Sequence, residues 1–380
     1  MKTLSRPFVL SLIQAIQEHP ELIHVVLGPR QVGKTTGVLH LLQQQYTEQN
    51  SIYVSADGAI QRPSSWLLEQ WTLASQNAKL ELLVIDEIQN VDQWSAILKQ
   101  IWDDQKRRRP KNPIRLVTLG SSSLQIQVGL QESLAGRFFL HPVRHWDFSE
   151  SKKTFGLSLT DYLTFGGYPG SYAFTKNPDH WVRYIQDSIV DPVLGKDILS
   201  QTRVKSPALF RQCFDLACAY AAQELSYTKL LGQLQSKGNT DLVKSYLELF
   251  EGAFLVRQLF KYSGKKTLTR SSSPKLLPLC PALYSVTCGA ELNSEQFGHA
   301  LELAVGAYLN TLPGELTYWR DKNFEVDYIY SYRKKVTAIE VKWGKKAAHG
   351  LQKFKEQYPS AELMIVTSEN FEDVLDQLKS

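Results

Sequence analysis

A loop that contains two glycines constrains the fold of this chain more than any other segment. Residues 28–35 read GPRQVGKT and follow an apolar, β-leaning run at residues 23–27. Apolar residues at helical spacing begin just beyond the loop. A strand, a G-x-x-x-x-G-K-T loop and a helix in this order are typical of the phosphate-binding Walker A motif, with a chance glycine-rich turn as the alternative. The pattern therefore predicts a nucleotide-binding domain of the α/β class.

The chemistry of such a loop assigns a role to its last residues. Glycines let successive backbone N–H groups point at phosphate oxygens, and the following helix adds the positive end of its dipole. We expect Lys34 to reach the β- and γ-phosphates of ATP and the hydroxyl of Thr35 to bind Mg²⁺. The residues predicted to contact the nucleotide are Gly28, Pro29, Arg30, Gln31, Val32, Gly33, Lys34, Thr35, Thr36 and Ser121.

A second motif, LLVIDE at residues 82–87, carries the matching carboxylates. Its continuous apolar run predicts a strand that is buried on both faces of a parallel sheet, and ligands bind at the carboxyl ends of such strands. Asp86 is predicted to hold the Mg²⁺ shell and Glu87 to polarise the attacking water. Because buried paired carboxylates are costly without a cation, a purely structural role is disfavoured. The two motifs together predict ATP binding and hydrolysis.

Three further features of this region have open alternatives. Ser121 or Ser122, after a predicted core strand at residues 114–119, is placed to contact the γ-phosphate or the attacking water; ordinary turn serines are the alternative. Arg137 is predicted to be an arginine finger on a neighbouring subunit's nucleotide, which requires a homo-oligomer such as a hexamer; a surface salt bridge is the alternative. The basic run at residues 106–111 is interpreted as a loop that is solvated or contacts DNA.

The length and composition of the chain limit its domain count and the classes of protein to which it can belong. A chain of 380 residues is expected to divide into two or three domains. Its four cysteines lack metal-binding spacing, so we expect reduced thiols. The N-terminal apolar patch has the spacing of an amphipathic helix rather than a signal peptide, and no apolar run approaches the ~20 residues that cross a bilayer. A cytoplasmic protein without membrane contact is expected.

Positive charge is concentrated near the C-terminus. Residues 320–355 contain ten Lys or Arg against four Asp or Glu, an excess that is larger than the net charge of +5 for the whole chain. A local basic field of this kind favours a polyanionic partner such as DNA. A solvated lysine-rich surface is the alternative.

The middle of the chain has a helical pattern. Amphipathic helices are predicted at residues 181–199 and 208–223. A short helix at 226–235, a longer helix capped at Thr240 and a strand at 254–260 then give the outline of a winged helix-turn-helix. The helix that begins at Thr240 is placed to read DNA, and a packing role is the alternative.

The C-terminal part contains a second set of carboxylates. Residues 324–330 and 336–342 alternate as two strands, and a turn at Arg333 and Lys334 would place Asp327 opposite Glu340. Opposed carboxylates repel unless they share a cation, so we predict that Asp327 and Glu340 hold Mg²⁺ or Mn²⁺. Lys342, two residues after Glu340, lies on the same face and is placed to orient or deprotonate water.

These residues resemble the core of restriction-endonuclease-like nucleases, the PD-(D/E)XK arrangement. The resemblance adds Glu302, on a helical stretch at residues 297–309, to Asp327, Glu340 and Lys342. No proline precedes Asp327, which is a departure from the motif. The alternative is a simple hairpin in which Glu325 and Lys342 form a salt bridge.

The whole chain resembles the prokaryotic AAA-type ATPases that carry a C-terminal domain of unknown function. The resemblance rests on GPRQVGKTT, LLVIDEIQ, GSSSL…ESLAGR, FGGYPG, TDLVKSYLELFEGAFLV and FEVDYIY…AIEVKWG. It implies phosphate contact by Lys34 and Thr35, metal and water roles for Asp86 and Glu87, and nuclease-like positions in the tail. The chain departs from its relatives at residues 273–289, where PLCP replaces an acidic strand end.

The expected fold is thus α/β, with three domains. Residues 1–150 form an AAA-type P-loop ATPase domain, 151–270 a helical and winged-helix region, and 271–380 a restriction-endonuclease-like α/β domain. The expected function is that of an ATP-dependent DNA-processing enzyme with a metal-dependent nuclease-like tail. One alternative is an ATPase switch whose degenerate nuclease fold only binds DNA. Another is a STAND-like signalling or defence regulator that acts on a protein partner.

Overall fold

A computed structural model describes residues 6–58, 61–121, 124–199, 204, 206–234, 239–263, 273–344 and 349–379. The chain divides into two compact units, Met1–Arg144 and His145–Ser380. The division of the second unit near residue 270 stays a prediction, since one hydrophobic core contains residues from both sides, such as Leu259 and Leu301. Among the described residues, no helix has the length and apolar character needed to cross a membrane.

The first unit is a parallel five-stranded sheet with helices. The sheet has the order β2-β3-β4-β1-β5, and each neighbouring pair of strands is parallel. Its strands are β1 (Ile23–Gly28), β2 (Ser51–Ser55), β3 (Leu82–Asp86), β4 (Arg115–Ser121) and β5 (Phe138–Pro142). Its helices are α1 (Pro7–Glu18), α2 (Lys34–Gln45), α3 (Ser64–Gln76), α4 (Trp94–Arg108) and α5 (Leu124–Glu132), with a 3₁₀ turn at Ile88–Asn90.

The predicted strands of this sheet are confirmed. Every residue of β1 and β3 is buried, as a continuous apolar run in a doubly covered sheet predicts. The N-terminal helix is also confirmed, and α1 buries Val9, Leu12 and Ile16. The loop interpretation of residues 106–111 is wrong for the first half of that run, which forms the last turn of α4. Cations are favourable at a helix C-terminus, and Asp104 one turn earlier pairs with the guanidinium groups that follow it.

A buried pair of histidines links β1 to β5. His24 Nδ1 and His141 Nε2 lie 3.0 Å apart, and His24 Nε2 lies 3.1 Å from the carbonyl oxygen of His19. Burial lowers the pKa of both imidazoles, that of His141 from 6.5 to about 4, with a further lowering by the neighbouring His24. The two histidines therefore bind protons less readily in the folded protein than in the unfolded chain.

The first unit is expected to lose stability as pH falls from 6.5 toward 4. In this window the unfolded state binds more protons, so the free energy of unfolding should fall by about 3 kcal/mol through His141. Urea unfolding at several pH values measures the loss. His141→Phe should show a shallower pH dependence in that window, and an equal slope in both proteins would contradict the assignment.

The second unit begins with a helical region and continues into two small sheets. Its first helices are α6 (Phe148–Phe155), α7 (Leu159–Phe165), α8 (Pro178–Ile185) and α9 (Pro207–Ala219), with a 3₁₀ segment at Pro169–Phe174 and π-helical segments at Gln186–Val190 and Val193–Leu199. The helix predicted at residues 181–199 is thus confirmed as helical, with π-type turns in its second half. All four cysteines of the chain lie in this unit as free thiols.

Two helices and three short strands follow. The elements are β6 (Gln223–Glu224), α10 (Tyr227–Gln233), α11 (Thr240–Gly252), β7 (Val256–Leu259) and β8 (Lys275–Pro278). The strands form an antiparallel sheet in the order β6-β8-β7. The predicted apolar face of α11 is buried at Val243, Leu247 and Phe250. The cap of α11 is Asn239 rather than Thr240, because the Asn239 side chain accepts the Leu242 N–H at 3.0 Å.

The last part of the unit is a four-stranded mixed sheet in the order β12-β11-β10-β9. Its elements are α12 (Pro281–Ser285), α13 (Ser294–Leu309), β9 (Glu315–Asp321), β10 (Phe324–Tyr332), β11 (Lys335–Lys342), α14 (His349–Gln357), β12 (Glu362–Thr367) and α15 (Phe371–Lys379). β9, β10 and β11 are antiparallel, and β12 is parallel to β11. Residues of α13 and α15 share one core with the sheet, whereas Leu351 and Phe354 of α14 belong to another.

The predicted register of the β10–β11 hairpin is confirmed as far as Tyr328–Ile339, and the predicted pair Asp327–Glu340 is not part of the ladder. Arg333 and Lys334 form the turn with positive φ angles of 46° and 70°. Pairing runs from Tyr332–Lys335 to Tyr328–Ile339. On the other side of β10, the pairing with β9 is shifted between Val326 and Ile329, and Asp327 lies in this irregular stretch.

Candidate functional site

The predicted phosphate loop lies at the carboxyl end of β1, where α2 begins. Two of its residues have left-handed backbone, Gln31 at φ 57° and Gly33 at φ 89°. Gly28 closes the strand so near to the chain at Val143 that a β-carbon would meet the Val143 carbonyl oxygen at 2.2 Å. Glycine is therefore required at 28 by space and favoured at 33 by conformation.

Lys34 lies folded over this loop. Its side chain is buried, and Nζ donates to the carbonyl oxygens of Gly28 at 2.9 Å and Pro29 at 2.6 Å. The loop thus presents a lysine ammonium at the N-terminus of α2, where the helix dipole is positive. Both features favour a negatively charged group at this position.

Asp86 ends β3 beside the loop. Its Oδ2 accepts hydrogen bonds from the hydroxyls of Thr35 and Tyr53, each at 2.7 Å, and its Oδ1 accepts the Glu87 N–H at 2.8 Å. Burial and the hydrogen bond to Asp86 raise the pKa of Tyr53 above its ordinary value. A carboxylate and a hydroxyl oxygen in hydrogen-bond contact are oxygen ligands that suit Mg²⁺. Thr35 and Asp86 therefore fit the ion that the motifs imply.

Glu87 is held by a residue that the sequence reasoning missed. Glu87 has a left-handed backbone at φ 52° and accepts a short hydrogen bond from Gln89 Nε2. The same Nε2 lies 3.0 Å from the hydroxyl oxygen of Ser121 at the end of β4. Gln89 Oε1 is buried and has no hydrogen-bond partner among the described residues. Gln89 thus connects Glu87, predicted to polarise water, with Ser121, predicted to contact the γ-phosphate. Ser122, the other candidate for that contact, lies outside the described residues.

The remaining loop residues lie around this centre. Pro29 and Val32 are buried, Arg30 is half-buried, and Gln31 and Thr36 are exposed. A second unpredicted residue supports the loop, because Arg6 donates to the Val32 carbonyl oxygen at 2.7 Å and to that of Arg144 at 3.1 Å. An arginine before an apolar helix has no sequence signature of such a role.

Arg137 immediately precedes β5 and lies at the amino ends of β1 and β5, whereas the phosphate loop follows the carboxyl end of β1. Its carbonyl oxygen accepts the N–H of Ile23, the first residue of β1, at 2.9 Å. Its guanidinium contacts Asp103 Oδ1 at 3.2 Å and lies over the ring of Trp102 at 5.1 Å. The salt bridge named as the alternative is therefore present. A finger role remains a prediction, and this position allows it only toward another subunit.

A buried ion cluster lies among the predicted nuclease-like residues of the second unit. Lys275, the first residue of β8, is 1% exposed. Its Nζ lies 2.6 Å from Glu302 Oε1, 3.5 Å from Glu325 Oε1 and 3.8 Å from Asp327 Oδ1. Burial and Asp327 raise the pKa of Glu302 to about 8, although Lys275 opposes this shift. Lys275 is a further residue that the sequence did not predict.

Glu340 and Lys342 form a second ion pair in the same region, with Nζ 2.5 Å from Oε1. Asp327 Oδ2 accepts the backbone N–H of Val341 at 2.7 Å, which brings Asp327 next to Glu340 in place of further strand pairing. Burial and Asp327 raise the pKa of Glu340 to about 7, and Lys342 acts in the opposite direction. Glu340 Oε2 is buried without a hydrogen-bond partner in the described part of the chain.

The structure thus brings Glu302, Asp327, Glu340 and Lys342 into one region. The salt bridge proposed as the alternative, between Glu325 and Lys342, is replaced by contacts of Glu325 with Lys275 and with Arg320 at 3.8 Å. Across the described ranges, no group of three or more His, Cys, Asp or Glu residues is arranged to hold a metal ion. The metal site at Asp327 and Glu340 stays a prediction, and the position of Lys275 weighs against it.

The parallel sheet, the phosphate loop at the end of β1 and the acidic end of β3 define a P-loop nucleotide-binding domain. Residues 20–152 match the family model of an AAA domain, so the first unit is an AAA-type P-loop ATPase domain. Residues 156–291 and 297–379 match two domains of unknown function, DUF8612 and DUF4143.

Two relatives that match most of the chain are themselves uncharacterized proteins. An uncharacterized protein of Methanocaldococcus jannaschii is 23% identical over 86% of this chain and 75% of its own length. An uncharacterized protein of Mycobacterium tuberculosis is 27% identical over 85% of this chain and 71% of its own length. Their names assign no activity to this chain.

Solved structures resemble the chain only slightly. RuvB of Thermotoga maritima has a TM-score of 0.30 and 17% identity, covering 66% of this chain and 87% of its own. Cdc6p of Pyrobaculum aerophilum has a TM-score of 0.32 and 10% identity, covering 78% of this chain and 96% of its own. Likeness at this level says nothing about what this chain binds.

Proposed function

We propose that this protein hydrolyses ATP at the phosphate loop and couples hydrolysis to DNA binding by its second unit. The proposal of ATP hydrolysis rests on one observation: the phosphate loop and the acidic end of β3 form a single site. In this site Lys34 covers the loop and Thr35 contacts Asp86 at 2.7 Å. The match of residues 20–152 to an AAA domain supports the same conclusion. DNA as the partner is supported by the basic excess at residues 320–355.

The chain's own residues account for the reaction. Lys34 leaves the loop carbonyls and neutralises charge that develops on the transferred phosphoryl group. Thr35 and Asp86 would hold Mg²⁺, which neutralises the β- and γ-phosphate oxygens when it is bound. Glu87, held by Gln89, orients the attacking water and accepts its proton. Ser121 contacts the γ-phosphate or that water.

Gln89 is expected to act as a positioning residue for Glu87. Replacing Gln89 with alanine should lower kcat about 10- to 100-fold while the KM for ATP changes little, because the variant disturbs the orientation of Glu87 and leaves the phosphate loop intact. Steady-state ATP hydrolysis measures both constants. Asn90→Ala, an amide change one residue away, is the matched control, and an unchanged kcat in Gln89→Ala would exclude the role.

For the second unit we propose a winged helix made of α9 to β8, followed by a nuclease-like core. The element order and the β6-β8-β7 sheet support the winged helix. The exposed side of α11 carries Asp241, Lys244 and Glu248, and Lys244 pairs with Asp241 at 3.4 Å. A net negative helix face is repelled by phosphates, so the packing role is favoured over DNA reading.

The hairpin turn between β10 and β11 is the better candidate for DNA contact. Arg333 and Lys334 are exposed there and have no ion pair among the described residues. Charge reversal at both positions, Arg333→Glu with Lys334→Glu, should weaken DNA affinity and reduce the slope of log K against log salt concentration by about 2. Fluorescence anisotropy with duplex DNA at several salt concentrations measures the slope. Lys244→Glu is the control, and an unchanged slope in the double variant would refute the assignment.

The nuclease-like core had two predicted uses, metal-dependent cutting and DNA binding without cutting. The position of Lys275 between Glu302 and Asp327 favours binding without cutting, since an ammonium already neutralises these carboxylates. Labelled linear, single-stranded and four-way-junction DNA should be bound but left intact with Mg²⁺ or Mn²⁺, with or without ATP. Cleavage that disappears in Lys342→Ala would instead establish a nuclease.

A further inference from the structure

The ammonium of Lys275 is surrounded by negative and electron-rich groups. Besides the three carboxylates of Glu302, Glu325 and Asp327, it meets the Asp327 carbonyl oxygen at 3.4 Å and the face of the Tyr328 ring at 5.2 Å. The side chain is almost completely buried. Buried lysines are rare unless their charge is paired, so the surrounding carboxylates determine this position.

Two of the groups around Lys275, Glu302 and Asp327, occupy nuclease-like positions according to the resemblance, and Asp327 is one of the two predicted metal ligands. Glu302 comes from α13 and Asp327 from β10, and these two elements meet at the start of β8. Both carboxylates lie within 3.8 Å of the same Nζ atom. A divalent cation bound by the same oxygens would lie close to the ammonium and would be repelled by it.

The other predicted ligand is likewise engaged by a lysine. Glu340 contacts Lys342 at 2.5 Å, so each end of the carboxylate cluster has a resident ammonium. The second carboxylate oxygen of Asp327, Oδ2, accepts the Val341 N–H at 2.7 Å. Glu302 Oε1 and both oxygens of Asp327 therefore face an ammonium or an N–H donor of the chain itself.

We propose that Lys275 takes the place of the divalent cation in this nuclease-like core, so that the wild-type core binds no metal at Glu302 and Asp327. The residues do not fit the ion that the resemblance implies, and the lysine supplies the neutralising charge instead. The core is then a permanently closed ion cluster, and removal of Lys275 alone converts it to a cation site.

This inference rests on the proposed nuclease-like core and is independent of ATP hydrolysis. ATP hydrolysis can fail while the core remains metal-free, and the core can bind metal while ATP hydrolysis stands. The two outcomes are therefore distinguishable in one set of proteins.

The test is Mn²⁺ titration of the full chain without nucleotide. All proteins carry Asp86→Asn, which removes the carboxylate ligand of the ATP site and leaves the Thr35 hydroxyl. We expect no Mn²⁺ bound at the core in this background and one Mn²⁺ gained in Lys275→Met, measured by calorimetry. The melting temperature of Lys275→Met should rise by about 5 °C in about 1 mM Mn²⁺, with no rise in the background protein.

Two further variants make the outcome specific. Adding Asp327→Asn to Lys275→Met should abolish the gained site, and Lys342→Met alone should gain none because Lys275 remains. Mn²⁺ binding in the background that is lost with Asp327→Asn would overturn the proposal. So would a folded Lys275→Met that binds no Mn²⁺. If Lys275→Met fails to fold, Mn²⁺ titrations of the background protein and of Lys275→Arg decide the question. Lys275→Arg keeps a cation at this position, so it is expected to bind no Mn²⁺ at the core.

Discussion

A Lys34→Ala variant is expected to hydrolyse ATP at least about a hundredfold more slowly than the wild-type chain, because it loses the one ammonium aimed at the transferred phosphate. Lys34 is buried at the loop and bonded to two loop carbonyls, which it leaves to contact the phosphate. Phosphate release from the purified full chain measures the rate. Its circular dichroism spectrum should match that of the wild type.

The matched control is Lys99→Ala, an exposed lysine on α4 in the same unit. It should hydrolyse ATP at the wild-type rate. Glu87→Gln should also lose hydrolysis but keep nucleotide binding, because Glu87 acts on water rather than on the phosphates. Wild-type turnover in Lys34→Ala would refute the phosphate-loop assignment.

A Lys275→Met variant, in the otherwise natural chain, is expected to lose about 3–5 kcal/mol of unfolding free energy in the second unit, because buried carboxylates are left without their cation. The loss should be larger at pH 9 than at pH 6. Burial already raises the pKa of Glu302 to about 8 with the lysine present, so without it the carboxyl is protonated at pH 6 and costs less there.

Urea unfolding at the two pH values measures this effect, in the absence of divalent ions. Lys342→Met removes the more exposed lysine of the neighbouring pair and should cost less. If the two variants lose the same small amount of stability, Lys275 does not hold the cluster together.

The parts of the molecule that could be predicted are those encoded locally. The loop from Gly28 to Thr35 needs a strand, a turn and a helix within one short segment, and all three occur there. The β10–β11 register follows from one turn at Arg333 and Lys334, which fixes every pair that follows. In both places, neighbouring residues determine the geometry.

The residues that prediction missed act across long sequence separations. Lys275 meets Asp327 over 52 residues, and Gln89 meets Ser121 over 32. Tyr53 reaches Asp86 over 33 residues, by way of neighbouring strands. A single lysine, glutamine or tyrosine carries no periodic signal, so its partner is set only when the sheet order is known. The contact of Lys275 with the predicted metal ligand Asp327 could not be foreseen for the same reason, since the lysine lies on a distant strand.

The most direct test of the account is the rate of ATP hydrolysis by the full chain with and without duplex DNA, at low and at high salt. We predict measurable turnover that DNA stimulates at low salt and that loses this stimulation as salt screens the phosphate contacts. Turnover that DNA leaves unchanged at every salt concentration would contradict coupling to DNA, and the absence of turnover would contradict the central claim itself.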